Sequence, residues 1–466
     1  MTRSPDLLAP DAHGIPIHCL TARDWPALAA ELTLAERAFA HATEFVPKSG
    51  KLCLLPEADG RLARVLFGLG DETGDRRDRL LPGKLVGLLP SGDYRLERAD
   101  GLDPAEATLA WCLASYRFQR YRTEAAKPFP RLAAPAGVDA EAILRVARAV
   151  SAGRDLINTP ANDLGPAEIE AAARGLAERF GASVSVTAGG DLAGTFPLVH
   201  AVGRASPRAP RLIDLTWGDP EAARVTLVGK GVVFDTGGLD IKPSAGMLLM
   251  KKDMGGAAAA LAAAEMVMGS GLNLRLRLVV PCVENAISGS AFRPGDVIRS
   301  RAGLSVEIGN TDAEGRLILA DALALADEEG PDLIVDFATL TGAARVALGP
   351  DLPAFFTEDD DLAGAVERAG RAAIDPVWRL PLHAPYASLL ESKVADLNNV
   401  SGGPLAGAIT AALFLRRFAP RTTAHVHFDL YGWNPSAKPA RPEGGEVQTA
   451  RLVHRLLTER YPPRAS

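Results

Sequence analysis

"RVTLVGKGVVFDTGGLDIKP", residues 224–243, decides how this chain is read. Its apolar, β-branched run reads as a buried strand, yet Lys230 interrupts it and Asp235 stands at its exit. Lys242 follows after a Thr236-Gly237-Gly238 turn. A lysine inside a strand-like run and an aspartate at its end are awkward for a core. Glycines at the exit let the backbone approach something closely. In open α/β sheets, binding groups collect just past the carboxyl ends of the strands, so the question is which other polar residues fall there.

Outward from this stretch, strands and helices alternate from about residue 182 onward. Candidate strands are "ASVSVTA", "RLIDLTW", "LRLRLVVPCV", "DLIVDFATL" and "TAHVHFDLY". Candidate helices are the Ala-rich run after Gly256, "GRLILADALALADEE", the segment after Gly349-Pro350 and "AGAITAALFLRRF". That order predicts an α/β fold, with a mostly parallel twisted sheet between helices. Residues 158–466 are the expected catalytic domain. Residues 127–157 read as a linker, Pro-rich at 127–137, and a connecting helix from about Asp139.

Residues 1–126 mix strand-like runs ("KLCLLP", "ARVLFGLG", "LVGLLP") with a helix near "PAEATLAWCLASYRFQRY". They form a smaller expected N-terminal α/β domain, suited to assembly or access rather than chemistry. Two domains fit the length, because 466 residues at 47% hydrophobic content exceed what one ordinary core uses.

Composition narrows the function classes. A net charge of −6 without basic clusters is a poor prospect for nucleic acid or anionic membrane. No apolar run reaches the roughly 18 residues that span a bilayer. The opening "MTRSPDLLAPDAHGIPIHCL" lacks the layout of a signal peptide, so a cytoplasmic location is expected. Cys19, Cys53, Cys112 and Cys282 lie far apart with no CxxC pair, and Cys282 lacks a base partner. No HExxH motif occurs, and "GLGDETG" does not make a phosphate-binding loop.

Two further segments carry polar groups at element ends. In "MLLMKKDMGGAAAA", Asp253 stands just before a helix start, where a plain N-cap is an equally good reading. In "GNTDAEGRLILADAL", residues 309–323, Asp312 and Glu314 are two apart, so extended backbone points both to one side. Arg316 then projects from the helix's first turn. Taken alone, that segment would be a capped helix with a local Glu–Arg pair. Taken together, four acids and three cations sit at the ends of adjacent elements. Four carboxylates facing one cleft repel unless neutralised, and two divalent cations do that best. Carboxylate oxygens suit such metals, and bridging carboxylates hold a pair roughly 3.5–4 Å apart. Lys230, in the more buried position, is the candidate for a neutral nitrogen ligand. Lys242 is the candidate to stay protonated and stabilise developing negative charge.

The segments "VGKGVVFDTGGLDIKP", "LLMKKDMGGAA", "VENAISGSAFRPGDVI" and "NTDAEGRLILADAL" resemble the leucyl aminopeptidases, the two-metal cytosolic aminopeptidase family. The resemblance covers roughly residues 140 to 450. It implies that Lys230, Asp235, Asp253, Asp312 and Glu314 are metal ligands, with Asp235 and Glu314 bridging and Asp312 on the second ion. Lys242 and Arg316 match the two catalytic positions, the arginine holding a bicarbonate that serves as general base. Two divalent ions per subunit, zinc or manganese, are implied, as are peptide substrates with a free N-terminus and a homohexameric assembly. The implied reaction releases the N-terminal residue by attack of a metal-activated water on the first peptide carbonyl.

Substrate contacts carried over by the resemblance are Met250, Asn310, Thr339, Leu340 and Gly342, with Tyr431 and Asn434 in "HFDLYGWNP". Tyr431 and Asn434 depart from the small and apolar residues of many relatives, which narrows or polarises the pocket for the first residue. Leucine preference is therefore not implied.

Two rivals remain on sequence grounds. His425, His427 and Asp429 alternate along "HVHFD" and offer a competing metal site, against which stands the plainer reading of satisfied core histidines. The same carboxylates would serve a two-metal phosphoesterase, although only Arg316 and the lysines could clamp phosphate. A DNA-binding or structural role, known for some members of the resembling family, is opposed by the acidic balance.

Overall fold

The computed structural model describes residues 5–71, 77–99, 101–125 and 127–464. Residues 72–74 of "GLGDETG" lie outside them. Contacts divide the chain into Met1–Ser151 with Ser436–Glu443, and Ala152–Pro435 with Gly444–Ser466.

The first unit is built on β1 (Ile15–Leu20), β2 (Leu52–Pro56), β3 (Leu62–Gly68), β4 (Asp93–Ala99) and β5 (Arg131–Leu132), in the order β2-β3-β1-β4-β5. Two sequence expectations change here. "LVGLLP" is helical over Lys84–Leu88, because Leu81, Leu85, Val86 and Leu89 fall on one helical face and pack into the core. The Pro-rich 127–137 stretch is more than a linker: it supplies β5, which pairs in parallel with β4 through Asp93↔Arg131 and Tyr94↔Leu132.

The second unit begins its sheet with β6 (Ser183–Ala188), β7 (Arg211–Gly218), β8 (Arg224–Gly229), β9 (Gly231–Asp235) and β10 (Arg275–Asn285). It continues with β11 (Val297–Arg299), β12 (Ser305–Glu307), β13 (Leu333–Ala338), β14 (Ala354–Phe356), β15 (Trp378–Arg379), β16 (Leu397–Asn398) and β17 (His425–Asp429). The large sheet runs β15-β14-β17-β13-β8-β10-β7-β6, with β9 also on β10, while β11, β12 and β16 form a small one. β17, β13, β8, β10 and β9 are mutually parallel, and β7, β6 and β14 join antiparallel at the flanks. The mostly parallel α/β expectation is thus borne out. After Gly349-Pro350, β14 comes before the expected helix, which runs Asp360–Ala372 and is capped by Asp359.

Two helices set the site's depth. Gly255–Gly269 packs on β8 and β13, its buried alanines letting the backbones come close. Glu314–Glu328 packs on β10 and β8, where Leu317, Ile318 and Leu323 join Val228, Val279 and Ile334 in one core cluster. No helix among the described residues is long and apolar enough to cross a membrane.

Candidate active site

Parallel strands bring their carboxyl ends to one edge, and the polar residues gather there. Lys230 follows β8, Asp235 ends β9, Asn285 ends β10, Thr339 follows β13 and Asp429 ends β17. The run 224–235 is two strands because Lys230 leaves the ladder between them. Its N–H donates to the Phe337 carbonyl at 2.9 Å, and its carbonyl accepts from Ala257 N at 2.8 Å. That fixes the backbone and frees the ammonium for the site.

Lys230 Nζ lies 2.8 Å from Asp253 Oδ2 and 3.1 Å from Glu314 Oε1, and donates to the Thr339 carbonyl at 2.8 Å. Lys242 Nζ lies 2.8 Å from Asp235 Oδ2 and also pairs with Asp312 Oδ1. Asp235 Oδ1 accepts from Asn285 Nδ2 and from Gly237 N, each at 2.8 Å. Asp253 is no helix cap, as its Oδ1 accepts from the Thr339 hydroxyl at 2.9 Å and Oδ2 faces Lys230. The turn glycines Gly237 and Gly238 have φ of 88° and 65°. A Cβ on Gly238 would sit 2.9 Å from Thr311 Oγ1, so this turn approaches the Asp312 loop as only glycine permits.

Burial dominates the electrostatics. It pushes Glu314 well above the usual carboxylate range, and the charge of Asp235 adds to the effect. Burial and Asp235 likewise push Asp312 up to about 6, against the pull of Lys242. For Lys230 burial acts downward, but Asp253, Glu314 and Asp235 outweigh it and hold the ammonium charged. Lys242 follows the same logic with Asp235 and Asp312.

Arg316 does not pair with Glu314. Its Nη1 donates to the Asn399 carbonyl at 2.7 Å, and burial lowers its pKa to about 10. Met250, Thr339, Leu340, Gly342 and Tyr431 line a cavity of about 520 Å³ together with Lys230, Asp235, Lys242, Asp253 and Asp312. Asn310, Asn434, Glu314 and Arg316 are not among its lining residues. The Asn310 side chain accepts from Asp312 N at 2.7 Å, so it shapes the loop instead. Asn434 is buried and donates to Glu446 Oε2 at 3.0 Å, a carboxylate already engaged by Arg154.

The histidine rival dissolves in the strand register. His425 Nε2 and His427 Nδ1 both bond Asp336 of β13, at 2.7 and 2.6 Å. Asp429 turns to the next loop, accepting from Leu340 N and Thr341 N at 3.1 Å each. Both histidines are taken up by Asp336 while Asp429 faces the 340–341 loop, so the three form no metal-binding group among the described residues.

The residues present suit divalent metal. Asp235, Asp312 and Glu314 each offer an oxygen within 4.8 Å of the others. Asp253 Oδ2, Asp312 Oδ1 and Glu314 Oε1 sit at ion-pair distance from lysines, yet among the described residues none meets a well-directed hydrogen bond. Buried carboxylate oxygens in that state are poised for a cation with stronger demands than an ammonium.

Comparison with known proteins agrees with this geometry. The model of the cytosol aminopeptidase family catalytic domain matches residues 151–457, and that of the M17 aminopeptidase N-terminal domain matches residues 15–135. The chain belongs to the cytosol aminopeptidase family. It is 41% identical over 381 residues to the probable cytosol aminopeptidase of Caulobacter vibrioides, covering 78% of this chain and 77% of that one. The cytosol aminopeptidase structure from Coxiella burnetii superposes with TM-score 0.93 at 46% identity, over 98% of this chain and 99% of that one. The bottromycin maturation enzyme BotP, solved in complex with Mn, gives TM-score 0.86 at 36% identity over 96% of this chain and 99% of that one. The protein is an aminopeptidase, a hydrolase of a metal-dependent family.

Three positioning residues of this cytosol aminopeptidase family member escape sequence reading. Asn285 orients Asp235 and also donates to the Thr311 carbonyl at 3.2 Å. Asn399 accepts from Gly309 N at 2.8 Å and Asn310 N at 3.2 Å. Asp336 is the third, and its signal was present: an aspartate in the middle of a buried strand, "DLIVDFATL".

Proposed function

We propose that this aminopeptidase acts on peptides with a free N-terminus through two divalent cations, zinc or manganese, held by Asp235, Asp253, Asp312 and Glu314 with Lys230. The observation that carries this reading is the cluster of carboxylates, Asp235, Asp253 and Asp312 lining one cavity and Glu314 within reach of Asp235 and Asp312, in which Asp253 Oδ2, Asp312 Oδ1 and Glu314 Oε1 lack directed hydrogen bonds among the described residues. When bound, the cations supply an anchor for the α-amine, polarisation of the scissile carbonyl and a water of lowered pKa. Manganese gains support from the BotP complex.

The chain's own residues do the rest. Lys242, charged and at the cavity wall, donates to the carbonyl oxygen as it gains negative charge. Arg316, whose buried Nε has no hydrogen-bond partner among the described residues, would hold a bicarbonate that would serve as general base. Main-chain groups of Thr339, Leu340 and Gly342, braced by Asp429, orient the peptide. By family, we extend to it a homohexameric assembly and a cytoplasmic location.

Metal analysis of the purified protein, paired with aminoacyl-p-nitroanilides and p-nitrophenyl phosphate, tests the proposal. About two divalent ions per chain and anilide hydrolysis abolished by chelation are expected. Phosphate-ester turnover without anilide turnover would overturn it, and full activity after exhaustive chelation would do so too. Sedimentation of the native protein checks the hexamer.

A further inference from the structure

The same cavity holds two cations that the metal chemistry does not use. Lys252 precedes Asp253 and is 5% exposed, with its Nζ 4.8 Å from the centroid of the Tyr431 ring. Arg345, on the helix Gly342–Leu348, places its guanidinium carbon 5.1 Å from the same centroid. Both line the cavity with Tyr431. The neighbouring Lys251 behaves differently, donating to the Asn158 carbonyl at 2.8 Å. Among the described residues, neither Lys252 nor Arg345 has an ion-pair or hydrogen-bond partner of that kind.

That arrangement is unbalanced for a pocket meant only for apolar side chains. A desolvated cation–π contact contributes about 2 kcal/mol. Removing an ammonium from water costs several kcal/mol. A neutral residue at 252 would avoid the difference, and although Asp253 and Asp429 are near, no carboxylate among the described residues pairs with Lys252 or Arg345. Both cations lie against the Tyr431 ring, and Met250 and Thr339 are also in the cavity wall. Water alone would solvate Arg345, which is exposed, but Lys252 is enclosed and faces the cavity.

We propose that Lys252 and Arg345, joined through Tyr431, form an anion subsite that binds the side-chain carboxylate of an N-terminal glutamate or aspartate. This rests on the aminopeptidase reading above and adds a substrate class to it. A peptide's own C-terminal carboxylate, in a dipeptide, carries the same chemistry and is the alternative source.

The test compares wild type with Lys252→Met and Arg345→Met, each checked by melting temperature and metal content. Glutamyl- and leucyl-p-nitroanilide separate side-chain recognition from general catalysis, and Leu-Gly against Leu-Gly-amide reads the C-terminal carboxylate. The ratio of kcat/KM for glutamyl over leucyl substrate should fall at least about tenfold in each variant, a change of about 1.4 kcal/mol. Calorimetric binding of L-glutamate, set against L-leucine, should weaken in parallel and needs no turnover. Unchanged ratios and unchanged glutamate binding would overturn the subsite. A loss confined to the Leu-Gly against Leu-Gly-amide discrimination would overturn the side-chain assignment in favour of the peptide terminus. Absence of all anilide turnover in metal-loaded wild type would instead refute the aminopeptidase reading, leaving glutamate binding to decide the subsite.

Discussion

Asn399 reaches Arg316 through its main-chain carbonyl at 2.7 Å, while its side-chain oxygen accepts from Gly309 N and Asn310 N. Its amide nitrogen also donates to the Asn310 carbonyl at 2.8 Å. One residue after β16 therefore fixes both the guanidinium and the loop that presents Asp312. Asn399→Ala removes the side-chain hydrogen bonds that hold this part-buried loop, each contributing about 0.5–1.5 kcal/mol. The expected outcome is a lower melting temperature and a kcat reduced at least about tenfold, read by calorimetry and anilide kinetics.

The acids and Lys242 are expected to separate by readout. Asp312→Ala and Glu314→Ala each remove a member of the clustered oxygen set, so turnover should be abolished and metal content should drop. Lys242→Ala removes a charge partner from Asp235 and Asp312, yet leaves every carboxylate in place. It should slow turnover by a factor of about 100 while metal content is largely kept, as expected for loss of one donor to a developing oxyanion. Full activity in both acid variants would move the site elsewhere.

Gly315, between Glu314 and Arg316, has a steric duty. A Cβ there would fall on the Lys230 side chain, at Cε, Nζ and Cδ together. Lys230 is pinned by Asp253, Glu314 and the Thr339 carbonyl, so it has little room to yield. Gly315→Ala should cost about 1–3 kcal/mol as an overpacked site. Activity should fall further than Asn399→Ala produces, with a lower metal content by elemental analysis.

These residues also show what the sequence carried. Lys230 and Asp235 stood out because charged groups interrupt an apolar run, and a parallel sheet puts such interruptions at one edge. Asp253 was ambiguous from sequence, since the first turn of a helix attracts acids anyway; only its contact with Lys230 decides the matter. Asn399 was invisible, being a lone amide in a polar loop whose role depends on β12 and β16 pairing across distant segments. "LVGLLP" misled because a short apolar run has no period long enough to separate strand from helix. Tyr431 was legible as a pocket residue, but its two cationic neighbours come from different elements and meet only in the fold.

His18 gives the first unit a pH-dependent stability. It lies on β1, only 6% exposed, and among the described residues neither ring nitrogen has a hydrogen-bond partner. Burial, reinforced by Arg64, Arg98 and Arg95 against Glu31, lowers its pKa from 6.5 to about 4. Between these values the unfolded chain takes up a proton that the folded unit refuses. Stability is therefore full above about pH 6.5 and is lost as pH falls toward 4. After discounting for solvent screening, the loss is on the order of 2 kcal/mol or less. His18→Leu has no proton to take up in either state, so it should flatten that part of the profile. Hydrogen-exchange protection of the β1 and β3 amides, corrected for the intrinsic pH dependence of exchange, measures it. An equally steep loss of protection between pH 6.5 and 4 in the variant would assign the acid sensitivity to other groups.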